Sequence, residues 1–470
     1  MNLFDVDLSK TAIRYSCGIY SYKELNNDVN LLTNYFINKG IHKITIFLDK
    51  KYEAYCILWA AYKAGATFCS IDTDLPISRV KECISLFKSD LVITEKMKND
   101  FEGVFYQDLF DQALSLKSFY DEHIYPVGNS VMYVLFTSGS TGKPKGVAIL
   151  RKAFEEVIEW AKNNIGMTSK DIVGQFCNLG FDMGLCDVFL ALSVGAEIIP
   201  ISGISKLTPG RMIKKYSISY LYSVPTVMNI FEKQQDFEKG NLNSLRLIGF
   251  GGAPLYEKYM QYICDYRPLL TIFNTYGPTE TTLFTSCIIF TATEYQLITE
   301  KSVCLGNPIT GVNYEIVDYN DNIGELKIIG NHCLAGYLRE DEEIDFQIAK
   351  PREYFKTGDL VYKENGNYFF VTRKDNQVKV RGNRIELDGI DSYLNIFGIT
   401  SLSMLIDERL VVFLTDKFSN IEIRDILKSY LPHNCLPDDL VNISEIPLNV
   451  NGKFDKAELL NYYNSYRNKS

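Results

Sequence analysis

The chain has 470 residues, of which 46% are hydrophobic and 23% are charged, and its formal net charge is −9. This length exceeds what one hydrophobic core usually supports, so we expect at least two domains. The negative charge argues against a broad nucleic-acid-binding face and favours a small or carrier-bound substrate. The 11 cysteines form no C-x-x-C pair and the 4 histidines show no zinc-ligand spacing, which indicates buried thiols in a reducing cytoplasm.

Neither a secretion signal nor a membrane span is expected. The N-terminal MNLFDVDLSK carries acidic residues where a signal peptide needs a basic start and an apolar segment. The apolar run at 185–201 is interrupted by Asp187 and Glu197, and it falls short of the roughly 20 residues that cross a bilayer. The sequence therefore predicts a soluble cytoplasmic protein with no membrane partner.

Helical and strand-like patterns alternate from the N-terminus onward. Leu25, Val29, Leu32 and Phe36 share one helical face, and Gly40 ends the predicted helix. The segments that follow predict, in order, a strand, a helix, a strand, a helix and a strand: ITIFLD, YEAYCILWAAYKAG, TFCSID, SRVKECISLFK and LVIT. This order predicts a mainly parallel sheet covered by helices.

The middle of the chain continues this pattern and then changes. Further strands are predicted at MYVLFT, ISYLYSV, SLRLIGF and LLTIFNT, with the helix RKAFEEVIEWAKNN among their connections. Ligand sites in such sheets lie beyond the carboxyl ends of the strands. From about residue 311 the period becomes a two-residue alternation in GVNYEIVD, GELKIIG, GNYFFVTR and NQVKVRG, which is typical of antiparallel hairpins.

These patterns together predict an α/β protein of two domains. Residues 1–373 would form a large N-terminal domain of helix-covered sheets with a β-rich subdomain from about residue 311. Residues 374–470 hold strands in SLSMLI and RLVVFLTD and a helix in IEIRDILKSYL, which is enough for a small α+β domain.

The segment LFTSGSTGKPKG raises the question of a phosphate loop. A Walker loop needs Gly, four residues and then Gly-Lys-Ser/Thr at the start of a helix, whereas Gly139 and Gly142 are closer together and the next segment, GVAIL, is strand-like. Hydroxyls, glycines and lysines could still cradle an anion here. A flexible Ser/Gly turn between two strands explains the same residues, and the segment alone leaves both readings open.

Four further clusters of polar residues indicate a function only when they are considered together. NTYGPTETT offers Glu280 as a Mg²⁺ ligand and Tyr276 as a stacking ring, and YFKTGDL offers Asp359 as an acceptor for ribose hydroxyls. TRKDNQVKVRGNRIEL is a basic hairpin, and PLNVNGKFDK presents Lys453 after an Asn-Gly turn. Each cluster alone is also explained as an ordinary turn, a solvated strand face or a solvent-facing lysine.

In this order the segments resemble the adenylate-forming (ANL) superfamily, and most closely the amino-acid adenylation domains of nonribosomal peptide synthetases and the D-alanine carrier-protein ligases. The segments that match span essentially the whole chain: YSYKEL, YKAGATFCSIDTDLP, LFTSGSTGKPKG, FDMGLCD, NTYGPTE, GELKIIG, YFKTGDL, RKDNQVKVRGNRIEL and PLNVNGKFDK. The resemblance implies the ANL fold, in which 374–470 would be a mobile lid.

The resemblance implies a two-step, ATP-dependent ligase. A substrate carboxylate would attack the α-phosphate of ATP and expel pyrophosphate, and a thiol would then attack the acyl-adenylate and release AMP. ATP and Mg²⁺ would be required. The expected partners are an amino acid and the phosphopantetheine arm of an acyl or peptidyl carrier protein. Because no G-G-x-S attachment motif follows the lid, that carrier is expected to act in trans.

The resemblance also assigns roles to residues at matching positions. Lys453 would be the catalytic lysine that bridges the substrate carboxylate and the α-phosphate, Glu280 would hold Mg²⁺, and Asp375 would be the hinge of the lid. The residues implied in ATP binding lie in four of the motifs and in the segment GFGGAP at 249–254: Thr137, Ser138, Gly139, Ser140, Thr141, Gly142, Lys145, Gly252, Ala253, Asn274, Thr275, Tyr276, Gly277, Thr279, Asp359 and Arg373.

Asp182 matches the carboxylate that binds the α-ammonium of amino-acid substrates, although a helix N-cap is the plain alternative. The other positions implied in the substrate pocket are uncharged: Met183, Cys186, Tyr222, Gly249, Gly251, Thr275, Leu283 and Phe284. We therefore expect a small or medium uncharged amino acid. D-Alanine is disfavoured, because D-alanine ligases have Cys where Gly251 stands.

Three positions depart from the family pattern: Gly184 replaces a usual Ser, Ala253 replaces a usual Glu, and Thr372 replaces a usual Gly. None of them removes a charged group. Two other functions remain open, an acyl- or aryl-acid:CoA ligase and a degenerate ATP-binding regulatory module. Asp182 argues against the first, and the presence of Glu280, Asp359 and Lys453 argues against the second.

Overall fold

The computed structural model describes most of the chain, namely residues 6–95, 103–116, 129–138, 143–298, 302–320, 322–339, 344–375, 377–381, 383–415, 419–447 and 455–467. The chain divides into two compact units. The first comprises Met1–Thr73, Ile84–Phe136 and Gly146–Lys374, and the second comprises Asp74–Cys83, Thr137–Lys145 and Asp375–Ser470. The assignment of a mobile lid to 374–470 stays a prediction.

Helices and short strands alternate along the described chain. The α-helices are α1 (Tyr22–Asn38), α2 (Tyr52–Ala64), α3 (Ile77–Phe87), α4 (Tyr106–Leu114), α5 (Arg151–Asn164), α6 (Asp182–Val194), α7 (Pro209–Tyr216), α8 (Val227–Gln234), α9 (Glu257–Tyr266), α10 (Leu387–Ile396), α11 (Asn420–Lys428) and α12 (Lys456–Arg467). In this part of the chain no helix is both long and apolar enough to cross a membrane.

The strands are short, and many are buried along their whole length. They are β1 (Thr11–Arg14), β2 (Ile19–Ser21), β3 (Lys43–Phe47), β4 (Thr67–Ser70), β5 (Leu91–Thr94), β6 (Val104–Phe105), β7 (Val131–Ser138), β8 (Pro144–Leu150), β9 (Ile172–Gln175), β10 (Glu197–Pro200), β11 (Tyr220–Ser223), β12 (Leu247–Phe250), β13 (Thr271–Tyr276), β14 (Ser286–Thr291), β15 (Asn307–Pro308), β16 (Val312–Asn320), β17 (Ile323–Gly330), β18 (Gly336–Leu338), β19 (Tyr354–Glu364), β20 (Asn367–Arg373), β21 (Gln377–Val380), β22 (Asn383–Glu386), β23 (Ser401–Ile406), β24 (Arg409–Leu414) and β25 (Asp439–Asn442).

The first unit contains two large sheets. One has the strand order β18-β8-β7-β4-β3-β5-β6, and the other has the order β15-β14-β13-β12-β11-β9-β10-β1-β2. The pairs from β13 to β1 in the second sheet are parallel, while β14 and β15 at one edge and β2 at the other are antiparallel. The parallel strands bring their carboxyl ends to one edge, which is where ligands bind in such folds.

The hydrophobic core lies on both faces of the second sheet. Along β11 the side chains alternate: Tyr220 joins one buried cluster with α2 and α6, and Leu221 joins another with α7, α8 and α9. This alternation follows from the two-residue period of a strand. Helices α2 and α6 are buried on nearly all sides, and Trp59 and Phe189 pack with their ring centroids 4.8 Å apart.

Asp187 lies inside this core, on the buried helix α6. Its carboxyl group is fully buried and has no hydrogen-bond partner among the described residues. Burial raises the pKa of Asp187 well above its usual range, because the charged form would lose its hydration. The acidic residue that interrupts the apolar run at 185–201 is therefore a neutral group within a packed core.

The β-rich region is an antiparallel sheet of order β16-β17-β19-β20. The second unit contains the hairpin of β21 and β22 and a three-stranded sheet of order β23-β24-β25. Leu410, Val412 and Leu414 of that sheet pack against Ile390 of α10 and Ile423 of α11. The mixed α/β class and the antiparallel region from about residue 311 agree with the sequence predictions.

Candidate active site

Tyr276, Asp359 and Arg373 come together in the first unit, although they are far apart in sequence. The Tyr276 hydroxyl donates to Oδ2 of Asp359 at 2.5 Å, and Arg373 donates to Oδ1 of the same carboxylate at 2.5 Å. Arg373 also donates to the main-chain oxygen of Thr357 at 3.1 Å. Both oxygens of the Asp359 carboxylate are thereby fixed in direction.

The β19 and β20 pairing explains this arrangement. Asp359 and Arg373 are direct cross-strand partners, and such partners have their side chains on the same face. The sequence leaves an ordinary turn open as the alternative to a ribose-binding role for Asp359, and the structure places this residue within β19 instead of in a turn. Its main-chain N–H donates to the Thr357 hydroxyl at 3.0 Å. Gly358, at a φ of 74°, takes a left-handed conformation that glycine adopts without strain.

Tyr276 ends β13 at the carboxyl edge of the large sheet. Burial and the neighbouring Asp359 carboxylate raise the pKa of the Tyr276 hydroxyl well above its usual range, so this group stays a donor. The ring of Tyr314 meets the ring of Tyr276 edge-on, with centroids 6.4 Å apart. The phenol is thus fixed at its hydroxyl and at its ring edge.

Asn274 lies two residues earlier on β13, and one of its two side-chain polar atoms has no hydrogen-bond partner among the described residues. Its Nδ2 donates to the main-chain oxygen of Cys304 at 3.0 Å. Its Oδ1 is buried and has no partner in the described part of the chain. An unpaired buried acceptor is costly and suggests a donor supplied from outside the protein.

The turn after Tyr276 is tightly packed against the following backbone. A Cβ at Gly277 would lie 2.6 Å from Cα of Phe284, so only glycine fits without a shift. Glu280 follows in this turn and is fully buried. The Tyr337 hydroxyl donates to its Oε1 at 3.3 Å, and Leu334 N–H donates to its main-chain oxygen at 2.7 Å.

Asp182 is the first residue of α6 and is partly exposed. It is not the N-cap that the alternative interpretation required, because Phe181 holds that position without a side-chain capping bond. Oδ1 of Asp182 accepts from the main-chain N–H of Met183 at 2.8 Å, and Oδ2 accepts from the Thr279 hydroxyl at 3.1 Å. The FDMGLCD and YGPTE motifs therefore meet at this carboxylate.

Three other residues implied in substrate binding lie at or just after the carboxyl ends of parallel strands: Tyr222 on β11, Thr275 on β13 and Gly251 after β12. The Tyr222 and Thr275 hydroxyls are 2.7 Å apart, and Thr275 also donates to the main-chain oxygen of Phe250 at 3.2 Å. A Cβ at Gly251 would lie 2.6 Å from the Thr275 hydroxyl oxygen and 2.9 Å from that of Tyr222. Burial raises the pKa of the Cys186 thiol well above its usual range.

The structure also describes other residues that are predicted to bind ATP or the substrate. Gly249 is closely covered, since a Cβ there would lie 1.9 Å from the ring of Phe273. Leu283 and Phe284 are buried, Met183 is partly exposed, and Ala253 follows Gly252, whose φ is 79°.

The phosphate loop and the lid residues are only partly described. The Thr137 hydroxyl on β7 donates to the main-chain oxygen of Lys145 on β8 at 3.4 Å. The backbone of Ser138 ends β7. Asp375 accepts from the main-chain N–H of Gln377 at 3.3 Å. The remaining predicted residues, Gly139, Ser140, Thr141, Gly142 and Lys453, lie outside the described residues, so their roles stay predictions.

Sequence reasoning missed several residues that support this site. Thr357 lies two residues before Asp359, and its presence in the same motif could have drawn attention to it. Tyr337 and Tyr314 contact Glu280 and Tyr276 from distant strands. No local pattern in the sequence marks either tyrosine, because their contacts depend on tertiary folding.

Solved structures share this fold over nearly the whole chain. The Vibrio cholerae adenylation domain AlmE, in complex with glycyl-adenosine-5'-phosphate, superposes with a TM-score of 0.81 at 22% identity, covering 97% of this chain and 95% of that protein. The o-succinylbenzoate CoA synthetase of Bacillus subtilis has a TM-score of 0.78 at 18% identity, with 96% of each chain covered. At these identities the likeness establishes the ANL-type fold, as predicted.

Three bacterial synthases are among the sequence relatives. Gramicidin S synthase 1 of Brevibacillus brevis is 27% identical over 473 residues, which cover 93% of this chain and 42% of that protein. Bacitracin synthase 1 of Bacillus licheniformis is 29% identical over 96% of this chain and 9% of its own length. The chain thus spans less than half the length of these two relatives. Zwittermicin A synthase ZmaJ of Bacillus cereus is 28% identical, with 97% of this chain and 94% of that protein covered.

A model of the AMP-binding enzyme family matches residues 6–338. That span includes the FDMGLCD and YGPTE motifs, which meet at Asp182, and it ends before Asp359. This match agrees with the resemblance to adenylate-forming enzymes that the motifs indicate. The chain belongs to the AMP-binding enzyme family.

Proposed function

We propose that the chain activates an amino acid as its aminoacyl-adenylate, with consumption of ATP, and transfers the aminoacyl group to the phosphopantetheine thiol of a carrier protein. The observation that carries this proposal is the Asp182 carboxylate at the start of α6, held by the Thr279 hydroxyl of the YGPTE turn at 3.1 Å. This geometry links a group suited to an ammonium ion with the motif expected to hold ATP.

Asp182 supplies the selectivity for amino acids. A carboxylate that accepts from a main-chain N–H and a hydroxyl has a fixed direction, and it can still accept from an α-ammonium group. A charge-assisted hydrogen bond of this kind is worth about 1.5–3 kcal/mol. Acids without an ammonium group would lack that stabilisation, and the Asp182 carboxylate would then be hydrated by water.

The Tyr276, Asp359 and Arg373 group would hold the nucleoside. Asp359, with its oxygens oriented by the phenol and the guanidinium, is suited to accept from ribose hydroxyls. Asn274 Oδ1, buried without a partner among the described residues, is suited to accept from the exocyclic amino group of adenine. Backbone at Gly252 and Ala253 would lie beside the base.

Glu280 would hold Mg²⁺. Mg²⁺ is usually bound by one or two carboxylates together with substrate phosphates. In the described part of the chain no group of three His, Cys, Asp or Glu side chains could hold a metal. A single buried carboxylate whose Oε1 accepts from Tyr337 fits a cation shared with the triphosphate. The ion would neutralise charge on the phosphate oxygens when bound.

The chemistry requires two anions to meet. A carboxylate oxygen of the amino acid forms a bond to the α-phosphorus, and the bond from that phosphorus to the bridging oxygen of pyrophosphate breaks. Lys453 would lie between carboxylate and α-phosphate, while Lys145 and the loop from Thr137 to Gly142 would bind the departing oxygens. Such preorganised donors are usually the largest single contribution to catalysis. Rotation of the lid about Asp375 would then admit the thiol.

The relatives support the amino acid and the carrier as substrates. AlmE was solved with an aminoacyl-adenylate, and a protein containing adenylation and PCP domains has a TM-score of 0.80 to this chain. The 11 cysteines, which form no C-x-x-C pair, support a reducing compartment such as the cytoplasm. A CoA ligase is the alternative, because a CoA synthetase superposes nearly as well.

Pyrophosphate exchange tests the first step. The chain is incubated with ATP, Mg²⁺ and each amino acid in both enantiomers, with des-amino acids and aryl acids as comparison substrates. We expect exchange with an uncharged amino acid and little with its des-amino analogue. Stronger exchange with acids that lack an ammonium group would overturn the proposal. Transfer of the aminoacyl group to CoA but not to a phosphopantetheinylated carrier would establish the alternative acceptor.

A further inference from the structure

The chain enters α6 through a tight turn. The main-chain N–H of Phe181 donates to the main-chain oxygen of Asn178 at 3.2 Å, and the helix begins one residue later at Asp182. The Asn178 carbonyl therefore folds back over the first turn of the helix. The position of that carbonyl and the position of Asp182 are linked through three intervening residues.

The Asn178 turn contacts helix α6 at Gly184. A Cβ at this residue would lie 2.1 Å from the main-chain oxygen of Asn178 and 2.8 Å from its carbonyl carbon. Any other side chain would force the turn or the helix to move, because the obstacle is backbone. The other glycine of this stretch, Gly180, meets a similar limit, since a Cβ there would lie 2.5 Å from the main-chain nitrogen of Asp72.

The turn is also held from its outer side by the Asn178 side chain. Its Nδ2 donates to Oδ1 of Asp72 at 2.8 Å, and its Oδ1 accepts from Nζ of Lys206. Asp72 follows β4 and Lys206 lies in the segment after β10. One amide thus ties together three separate parts of the chain directly behind the start of α6.

The strand that leads into the turn is held in the same way. Lys50 is buried, and its ammonium group donates to the main-chain oxygens of Gln175 at 3.0 Å, Phe176 at 2.5 Å and Ile201 at 2.8 Å. The Gln175 amide donates to the main-chain oxygen of Cys177 at 2.7 Å. The turn therefore cannot retreat from a side chain at 184 without breaking buried polar contacts, which are costly to lose.

We infer that Asn178 and Gly184 are positioning residues for the Asp182 carboxylate and so determine recognition of the substrate ammonium group. This inference rests on the proposed function. Asp72 and Lys206 hold Asn178 in place, and the Asn178 carbonyl in turn limits where the first turn of α6 can lie and in which direction it can point. In that position Asp182 accepts from the Thr279 hydroxyl at 3.1 Å.

The test compares Gly184→Ala, Gly184→Ser and Asn178→Ala with the unaltered chain and with Gly18→Ala as control. A Cβ at Gly18 would meet only the ring of Tyr20, at an ordinary 3.8 Å. The substrate is the amino acid that gives the fastest pyrophosphate exchange with the unaltered chain, and its des-amino analogue is the matched inhibitor. We expect the three variants to raise KM for the amino acid at least tenfold, with KM for ATP and inhibition by the des-amino acid changed less than twofold.

The outcomes separate the inference from the proposed function. No exchange by the unaltered chain with any amino acid would refute the proposed function. An unchanged KM for the amino acid in folded Gly184→Ser or Asn178→Ala, or equal losses for the amino acid and the des-amino acid, would refute the positioning role alone. Should the Gly184 variants fail to fold, as judged by circular dichroism, Asn178→Ala decides, because it leaves the backbone contact in place.

Discussion

The Tyr276 hydroxyl and the Asp359 carboxylate share a hydrogen bond 2.5 Å long. The aromatic residue of one motif thereby orients the acid of another, 83 residues away in sequence. Arg373 holds the second carboxylate oxygen of Asp359. Base and ribose recognition are consequently expected to respond to mutation as one unit, with effects of neighbouring residues that do not add.

Asp359→Asn should weaken selection for the ribose. The amide keeps the size of the side chain but loses the charge that makes bonds to hydroxyls strong. We expect KM for ATP to rise about tenfold or more, which corresponds to a loss of about 1.4 kcal/mol. Preference for ATP over 2'-deoxy-ATP and 3'-deoxy-ATP should fall as well. Exchange assays with the three nucleotides measure this, and an unchanged preference would remove Asp359 from the ribose site.

Asp182→Ala should raise KM strongly for the amino acid and hardly at all for the des-amino analogue. Loss of one charge-assisted contact of about 1.5–3 kcal/mol corresponds to roughly a tenfold to hundredfold change. Thr279→Val is the milder companion, because it removes the hydroxyl that orients Asp182 and leaves the charge. Equal effects of Asp182→Ala on both acids would mean that this carboxylate is structural.

Lys453→Ala should nearly abolish adenylate formation while ATP still binds. Loss of one donor at a site of developing charge costs about a hundredfold to a thousandfold in rate. Exchange measures the first step, and equilibrium dialysis of ATP measures binding. Lys428, which is exposed on α11 with Asp425 as its partner, provides the control Lys428→Ala. Normal exchange by Lys453→Ala would refute the role that the resemblance implies.

His332 should make stability depend on pH in mildly acidic solution. It is buried, neither ring nitrogen has a hydrogen bond within the described residues, and burial lowers its pKa to about 4. The Glu156 carboxylate, 3.7 Å from Nε2, is too exposed to offset that burial. In the unfolded chain an ordinary histidine has a pKa of about 6.5, so between these values only the unfolded state takes up the proton.

Stability is therefore expected to fall by up to about 3 kcal/mol as the pH drops from roughly 6.5 to 4. His332→Gln should flatten this part of the pH profile, since the residue no longer titrates. Urea unfolding at several pH values gives the slopes, and His42→Gln, at an exposed position, should keep the slope of the unaltered chain. Identical slopes for His332→Gln and the unaltered chain would contradict the prediction.

The sequence predicted the larger elements because their patterns are local. The segment RKAFEEVIEWAKNN corresponds to α5, and Leu25, Val29, Leu32 and Phe36 are buried together on α1. Apolar periodicity is set by the core that each element faces, so it can be detected without the fold. The β-rich region from about residue 311 was detectable for the same reason.

The geometry of the site could not be obtained in this way. Nothing local indicates that Thr279 donates to Asp182, or that Tyr337 donates to Glu280, because these partners are 97 and 57 residues apart. The sequence also left an ordinary turn open as the alternative for Asp359, yet this residue lies within β19, where the preceding Gly358 adopts a left-handed conformation. Motif order indicated which residues matter, and tertiary pairing determined how they meet.

Helix α6 has an uneven environment along its length. From Gly184 to Ser193 it is buried on every side, whereas Asp182 and Met183 at its tip are partly exposed. A substitution deeper in the helix disturbs the packing of both sheets, and one at the tip does not. Diversification of substrate choice in this chain, by natural variation or by directed evolution, should therefore concentrate at Met183 and spare the buried residues from 184 to 193.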